Sequence, residues 1–166
     1  MKSTPQAMKN LVILGAGSAG TMMANHLVDK LPENWQITIV DQHEKHYYQP
    51  GFLFLPFDIY TEKECYKSKK SFIPKGVNYL QQSIELIKAD QKEVVLSEQT
   101  IKYDLLIIAT GSQIAPQEVD GMLGAEWQKS VFDFYTFEGA RNLRDFLRNW
   151  KGGKMAVHIT EMPIKC

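Results

Sequence analysis

Apolar residues along the chain fall into short dense blocks separated by polar and glycine-containing stretches. The first block, Leu11–Leu14, places four apolar residues in a row, the pattern of a strand buried on both faces of a parallel sheet. A helix-compatible stretch, Ser18–Lys30, follows, with Ala19, Met23 and Leu27 on one face and Pro32 just past its end. Gln36–Asp41 (QITIVD) predicts a second strand. Val77–Leu80 and Ile84–Ile87 predict short strands, as do Glu93–Leu96 and Ile101–Tyr103 around a polar turn at Ser97–Gln99. These four segments form a small antiparallel insertion at about residues 77–103. Asp104–Gly111 (DLLIIATG) then predicts a central buried strand ended by Thr110 and Gly111. In Thr136–Trp150, residues Leu143, Phe146, Leu147 and Trp150 recur at helical spacing, and Gly152 and Gly153 stop the helix. Met155–Thr160 alternates, with Met155, Val157 and Ile159 on one face, and predicts a further strand.

The candidate chemistry sits at the strand ends. Gly15, Gly17 and Gly20 have the spacing G-x-G-x-x-G between the first strand and the first helix. Gly15 permits the tight turn, Gly17 lets a pyrophosphate approach the backbone, and Gly20 lets helix and strand pack closely. Phosphates would rest on the free N–H groups at the helix start, at Gly17, Ser18 and Ala19, where the macrodipole favours negative charge. Asp41 ends the second strand 21 positions after Gly20, where an acid takes the ribose hydroxyls of a dinucleotide. Ligands collect at the carboxyl ends of parallel strands, which brings Thr110 and Gly111 beside the same nucleotide. His43–Phe57 (HEKHYYQPGFLFLPF) is aromatic and rich in Pro and Gly, without a clean period. Such a loop either covers something flat and apolar or packs its aromatics on its own core.

Composition narrows the class. The 166 residues, 44% apolar and 23% charged, suit a soluble globular protein with a real core, and the alternation of strands and helices makes it α/β. Nineteen basic residues balance nineteen acidic ones, so no field attracts nucleic acid. No apolar run of about 18 residues predicts a membrane span. Residues 1–10 are polar and are expected to form a disordered leader. Cys65 and Cys166 make no secreted disulfide framework, so a cytoplasmic setting is the default. Thr61–Lys70 (TEKECYKSKK) is polar, basic and expected to be exposed, with Cys65 a free thiol lacking a nearby base or metal ligand set. No metal site is expected, and His158 reads as a structural strand histidine. After Met155–Thr160, a second nucleotide-binding unit would show a glycine fingerprint, whereas Glu161–Cys166 (EMPIKC) has no glycine.

GAGSAG with Asp41, the stretch HYYQP, YDLLIIATG and the ending MPIKC together resemble sulfide:quinone oxidoreductases. These belong to the two-dinucleotide-domain flavoproteins of the pyridine nucleotide-disulfide oxidoreductase superfamily. The glycine loop and the ATG turn are shared across the superfamily, while YQP and PIKC are narrower. The resemblance implies a Rossmann-like three-layer FAD-binding domain over residues 11–115, with a parallel sheet and the small antiparallel insertion. Residues 116–166 would be a linker, a helix and the first strand of a second, truncated Rossmann-like domain. It also implies FAD as cofactor, bound by Gly15, Gly17, Ser18, Ala19, Gly20, Asp41, Thr110 and Gly111, with Tyr48, Gln49 and Pro50 near the isoalloxazine. Cys166 matches the family's redox cysteine that approaches the flavin, and Lys165 beside it could favour the thiolate.

The implied reaction is sulfide attack on a sulfur-bridged cysteine pair, with electrons passed through FAD to a quinone in an apolar pocket. The second redox cysteine would come from a later part of a longer parent protein. On this reading the 166-residue chain binds FAD weakly or not at all and turns nothing over. Peripheral membrane association through the missing half, and a homodimer, are compatible with the resemblance. Two alternatives stand beside it. A type II NADH:quinone oxidoreductase shares the flavin half but needs the glycine loop that EMPIKC lacks. A non-catalytic flavin- or nucleotide-binding module would use the same first forty residues without the cysteine.

Overall fold

A computed structural model describes residues 6–159 of the chain. A four-stranded parallel sheet carries the fold. Its strands are β1 (Lys9–Leu14), β2 (Trp35–Val40), β5 (Val77–Leu80) and β9 (Leu105–Ile108), in the spatial order β5-β2-β1-β9. β1 lies in the middle, with Leu11 opposite Ile37 on one side and Leu105 on the other. Its four apolar residues are fully buried, as the unbroken LVIL run requires. Successive side chains point to opposite faces of the sheet. Leu11 and Ile13 therefore join Ala24, Ile37 and Ile39 under helix α1 (Ser18–Leu27). Val12 and Leu14 join Val40, Val94 and Leu96 on the other face.

That second face is covered by an antiparallel meander of β6 (Ile84–Lys88), β7 (Glu93–Leu96) and β8 (Thr100–Lys102). The layers are thus helix, parallel sheet and meander, an α/β fold with a small antiparallel insertion. A separate hairpin of β3 (Lys45–Tyr47) and β4 (Tyr66–Ser68) follows β2. Helix α2 (Phe137–Asn149) packs against two 3₁₀ turns, Gln49–Leu53 and Leu55–Phe57, in the loop this hairpin closes. Phe52, Leu55, Cys65 and Ala140 form the small core between them.

Several sequence expectations change here. The first strand begins at Lys9, so the leader does not extend to residue 10; Asn10 N–H donates to Asp104 Oδ2 at 2.7 Å. Val77–Leu80 does not open the antiparallel insertion. It pairs in parallel with β2, Ile37 opposite Val77, because Val77 and Tyr79 pack into the helix-covered core. The insertion starts at Ile84. β9 is an edge strand and not a central one among the described residues: β1 flanks it on one side, and Leu105 is about half exposed and Ile108 more so.

α1 buries Gly20, Thr21 and Ala24 most deeply, while Ala19 is exposed and Met23 and Leu27 are half-buried. The small residues draw the helix close and turn its contact face by one position. α2 likewise buries Gly139, Ala140 and Arg144, leaving Phe146 and Trp150 exposed. Small residues face the 3₁₀ turns, and ion pairs satisfy Arg144: its guanidinium reaches Glu62 at 2.7 Å and Asp145 at 2.9 Å. Met155–Ile159 forms no strand and its apolar side chains are exposed, because no strand of the described residues pairs with it. Thr160 lies outside the described residues.

Candidate functional site

β1 delivers the chain into the glycine turn at the carboxyl end of the sheet. Gly15 takes φ +97°, a conformation open mainly to glycine, and a Cβ there would lie 2.3 Å from the Ala109 carbonyl oxygen. Gly20 is closed off in the same way, since its Cβ would sit 1.8 Å from the Gly15 carbonyl oxygen. Gly17 differs. Nothing lies within 4 Å of its Cβ position, and it caps α1 with extended backbone. Two glycines are thus fixed by the fold, and the third borders open space at a helix N-terminus, where peptide dipoles favour an anion.

Gly17 and Ser18 form one wall of a cavity of about 1280 Å³. Its lining also includes Tyr48, Gln49 and Pro50, the hairpin residues Tyr47 and Tyr66, Lys69 just past the hairpin, and Phe137 and Arg141 of α2. Ser112, just past the β9 turn, also lines it. Aromatic rings form part of the lining. There Tyr47 packs on Phe137 at 5.1 Å and on Phe52 at 5.9 Å between ring centres. Lys45 Nζ lies 4.1 Å from the centre of the Tyr66 ring, within cation–π range. Gln49 donates from Nε2 to the Tyr135 carbonyl at 3.3 Å, joining the YQP turn to the entry of α2. That entry is held by Asp133, whose Oδ1 accepts from the N–H of Thr136 at 2.7 Å, and by the Thr136 hydroxyl accepting from Gly139. Part of the aromatic loop packs on its own core, through Phe52 and Leu55, while Tyr48 stays half exposed and lines the cavity.

Asp41 lies at the rim of the glycine turn. Its Oδ2 accepts from the Ala16 N–H at 2.8 Å and pairs with Lys69 Nζ at 2.5 Å; its Oδ1 accepts from the His43 N–H at 2.8 Å. Burial opposes its ionised form, yet the Lys69 ammonium and the two backbone donors outweigh it and hold the carboxyl below its usual range. Of the residues singled out from sequence, the structure brings Gly17, Ser18, Tyr48, Gln49 and Pro50 onto one cavity. Gly15 and Gly20 shape the turn behind it. Ala19, Asp41, Thr110 and Gly111 are neighbours of lining residues and do not line it. Cys166 lies outside the described residues.

Lys69 was missed. It sits in a run, KSKK, that looks solvated, yet it is 6% exposed. No local signal marks it, because its burial depends on the β3–β4 pairing and on its own N–H donating to the Glu44 carbonyl at 2.8 Å. Cys65 in the same stretch is fully buried, and burial followed by the neighbouring Glu64 and Glu62 pushes its thiol pKa up. No cluster of His, Cys, Asp and Glu among the described residues could hold a metal ion. No helix among them is long and apolar enough to cross a membrane.

A glycine turn between a central parallel strand and a helix, an acid at the next strand end and a large adjoining cavity define an α/β protein of the Rossmann-like kind. The family model of the pyridine nucleotide-disulphide oxidoreductases matches residues 9–157, and the chain belongs to that family. It is 29% identical over 158 residues to the mitochondrial sulfide:quinone oxidoreductase of Dictyostelium discoideum, which covers 94% of this chain and 35% of that protein. It is 25% identical over 158 residues to the type II NADH:quinone oxidoreductase of Staphylococcus aureus, covering 90% of this chain and 37% of that protein. The solved sulfide:quinone oxidoreductase of Aquifex aeolicus superposes with a TM-score of 0.69 at 23% identity, over 85% of this chain and 32% of that one. The chain thus spans about a third of the length of the relatives it matches.

Proposed function

We propose that this chain is the cofactor-binding N-terminal part of an FAD-dependent oxidoreductase that oxidises sulfide and delivers electrons to a quinone. The observation that carries the nucleotide part is the contrast within the glycine turn: Gly15 and Gly20 have no room for a Cβ, whereas Gly17 faces open space on the cavity. That space, the acid at Asp41 and the aromatic wall at Tyr48–Pro50 fit a ligand with a pyrophosphate, a ribose and a flat ring. FAD, when bound, supplies the two-electron chemistry that links donor and acceptor. The chain's own part is to bind and orient. The N–H groups of Gly17, Ser18 and Ala19 would hold the pyrophosphate, with Thr110 and Gly111 beside it. Asp41 would take ribose hydroxyls. Tyr48, Gln49 and Pro50 would border the flavin ring and limit water there, and Cys166 would be the thiol that meets it. Residues 116–166 would link to a second domain of the same kind.

Sulfide as donor rests on the likeness to sulfide:quinone oxidoreductases and on EMPIKC, which offers a cysteine and no glycine loop. The second reading, NADH as donor, is favoured by the likeness to a type II NADH:quinone oxidoreductase over most of the chain. Anaerobic stopped-flow on the full-length flavoprotein separates them. Rapid bleaching by sulfide and not by NADH is expected, and the reverse would replace the first reading with the second. Cys166→Ser should abolish bleaching by sulfide while leaving bound FAD in place. Unchanged sulfide oxidation in that variant would remove the cysteine from the mechanism, and bleaching of the unaltered protein by neither donor would favour a nucleotide-binding module without this chemistry.

A further inference from the structure

Lys69 places a buried ammonium at the cavity wall beside the carboxylate that would read the ribose. Its side chain is 7% exposed, and Asp41 is its ion-pair partner among the described residues. An ammonium has three N–H donors, so two remain for other acceptors. A carboxylate offers about four acceptor positions, two on each oxygen. On Asp41, Oδ2 is filled by Ala16 N–H and Lys69, and Oδ1 holds the His43 N–H alone. We propose that Lys69 is a positioning residue for the adenosine diphosphate half of the ligand. With Ala16 it saturates Oδ2, so the carboxylate presents a single free acceptor, on Oδ1, to a ribose hydroxyl, and its spare N–H groups take a ligand oxygen.

The pairing also solves an electrostatic problem. An uncompensated carboxylate at the rim of the glycine turn would repel the pyrophosphate it has to sit beside. At 2.5 Å the ammonium cancels that charge without giving up the acceptor on Oδ1. A buried charge pair of this kind fixes geometry more than it adds stability, because desolvation offsets most of the attraction. Its signature is therefore discrimination between ligands.

This inference rests on the nucleotide reading of the site, and the test keeps the two apart. ADP and 2′,3′-dideoxy-ADP are titrated calorimetrically into the full-length protein freed of its flavin and into its Lys69→Met variant. The unaltered protein should prefer ADP by about tenfold, the worth of one hydroxyl hydrogen bond to a charged acceptor. In Lys69→Met the preference should fall below about threefold. Should Lys69→Met not fold, Lys69→Gln, one bond too short to reach Asp41, is read by the same ratio with the same expectation. Absence of ADP binding to the unaltered protein would overturn the nucleotide reading itself. ADP binding without preference over the dideoxy compound, or a preference kept in the variants, would overturn the role of Lys69 alone. An equal loss of affinity for both nucleotides would mark Lys69 as merely structural and equally refute the proposal.

Discussion

Alanine at each glycine of the turn separates what the fold needs from what the ligand needs. At Gly15, alanine must adopt φ +97° and bring its Cβ to 2.3 Å from the Ala109 carbonyl oxygen. The left-handed backbone costs about 1–2 kcal/mol for a non-glycine residue, and forcing a methyl group into filled space costs about 1–3 kcal/mol more. The sum, about 3 kcal/mol, is a large share of the roughly 5–15 kcal/mol that holds a domain folded. At about 2–4 °C per kcal/mol for a domain of this size, Gly15→Ala should lower Tm by roughly 6–12 °C. Gly17→Ala meets nothing within 4 Å and keeps φ −77°. Alanine is a poorer N-cap than glycine by about 0.5 kcal/mol, while it loses less backbone entropy on folding by about the same amount. Its Tm should therefore stay within about 2 °C of the unaltered protein. Yet its methyl group fills the space proposed for the pyrophosphate, so ADP affinity should fall at least tenfold, about 1.4 kcal/mol. Thermal unfolding followed by circular dichroism, with calorimetric titration of ADP, measures both. A Gly17→Ala protein as unstable as Gly15→Ala, or one that binds ADP unchanged, would refute the division of roles.

Three further outcomes follow from the geometry. Asp41 has a folded-state pKa below its unfolded value, so its stabilising effect is complete above about pH 4 and is lost as pH falls through the lowered value. Asp41→Asn should therefore flatten the acid limb of the stability curve below pH 4, as seen in urea melts from pH 2 to 7. Glu62→Gln removes one of the two carboxylates that hold the buried Arg144 guanidinium. Because Glu62 is itself partly exposed, the loss should be about 1–2 kcal/mol and not the 3–5 kcal/mol of a fully buried pair. Equilibrium denaturation checks it, and no change would show that Asp145 alone suffices. Cys65, fully buried with a raised thiol pKa, should escape brief alkylation by iodoacetamide at pH 8 and react only in denaturant, as peptide mapping would reveal.

The glycine turn was legible because its logic is local: an apolar run, three glycines at fixed spacing and an acid at the next strand end occupy the first forty residues. The helix Thr136–Trp150 was legible within a residue at each end, since Thr136 is a good cap and its N-cap bond is present. What the pattern did not carry is the choice of partner. LLII reads the same whether one strand or two flank it, so the pattern places β9 at the centre of the sheet although, among the described residues, β1 alone pairs with it. VNYL reads as a strand in either direction, and only its fit under α1 assigns it to the parallel sheet.

Lys69 shows the same limit at the site. One turn from Tyr66, a lysine in KSKK would face water if β4 had no partner. Pairing Lys45 with Ser68 brings the next residue's N–H onto the Glu44 carbonyl, and the side chain then reaches Asp41 instead. Two stretches that look unrelated, a strand-end acid and a polar basic run, thereby become one charge-compensated unit. The aromatic cavity wall arises likewise, from Tyr47 and Phe52 meeting Phe137 some 85 to 90 positions later in the chain. The proposed site is thus half written in a local motif and half assembled by hairpin register and helix docking. Substitutions at Ser68 or Ala140 that shift either one, without touching the glycine turn, should therefore weaken ADP binding while the parallel sheet stays folded.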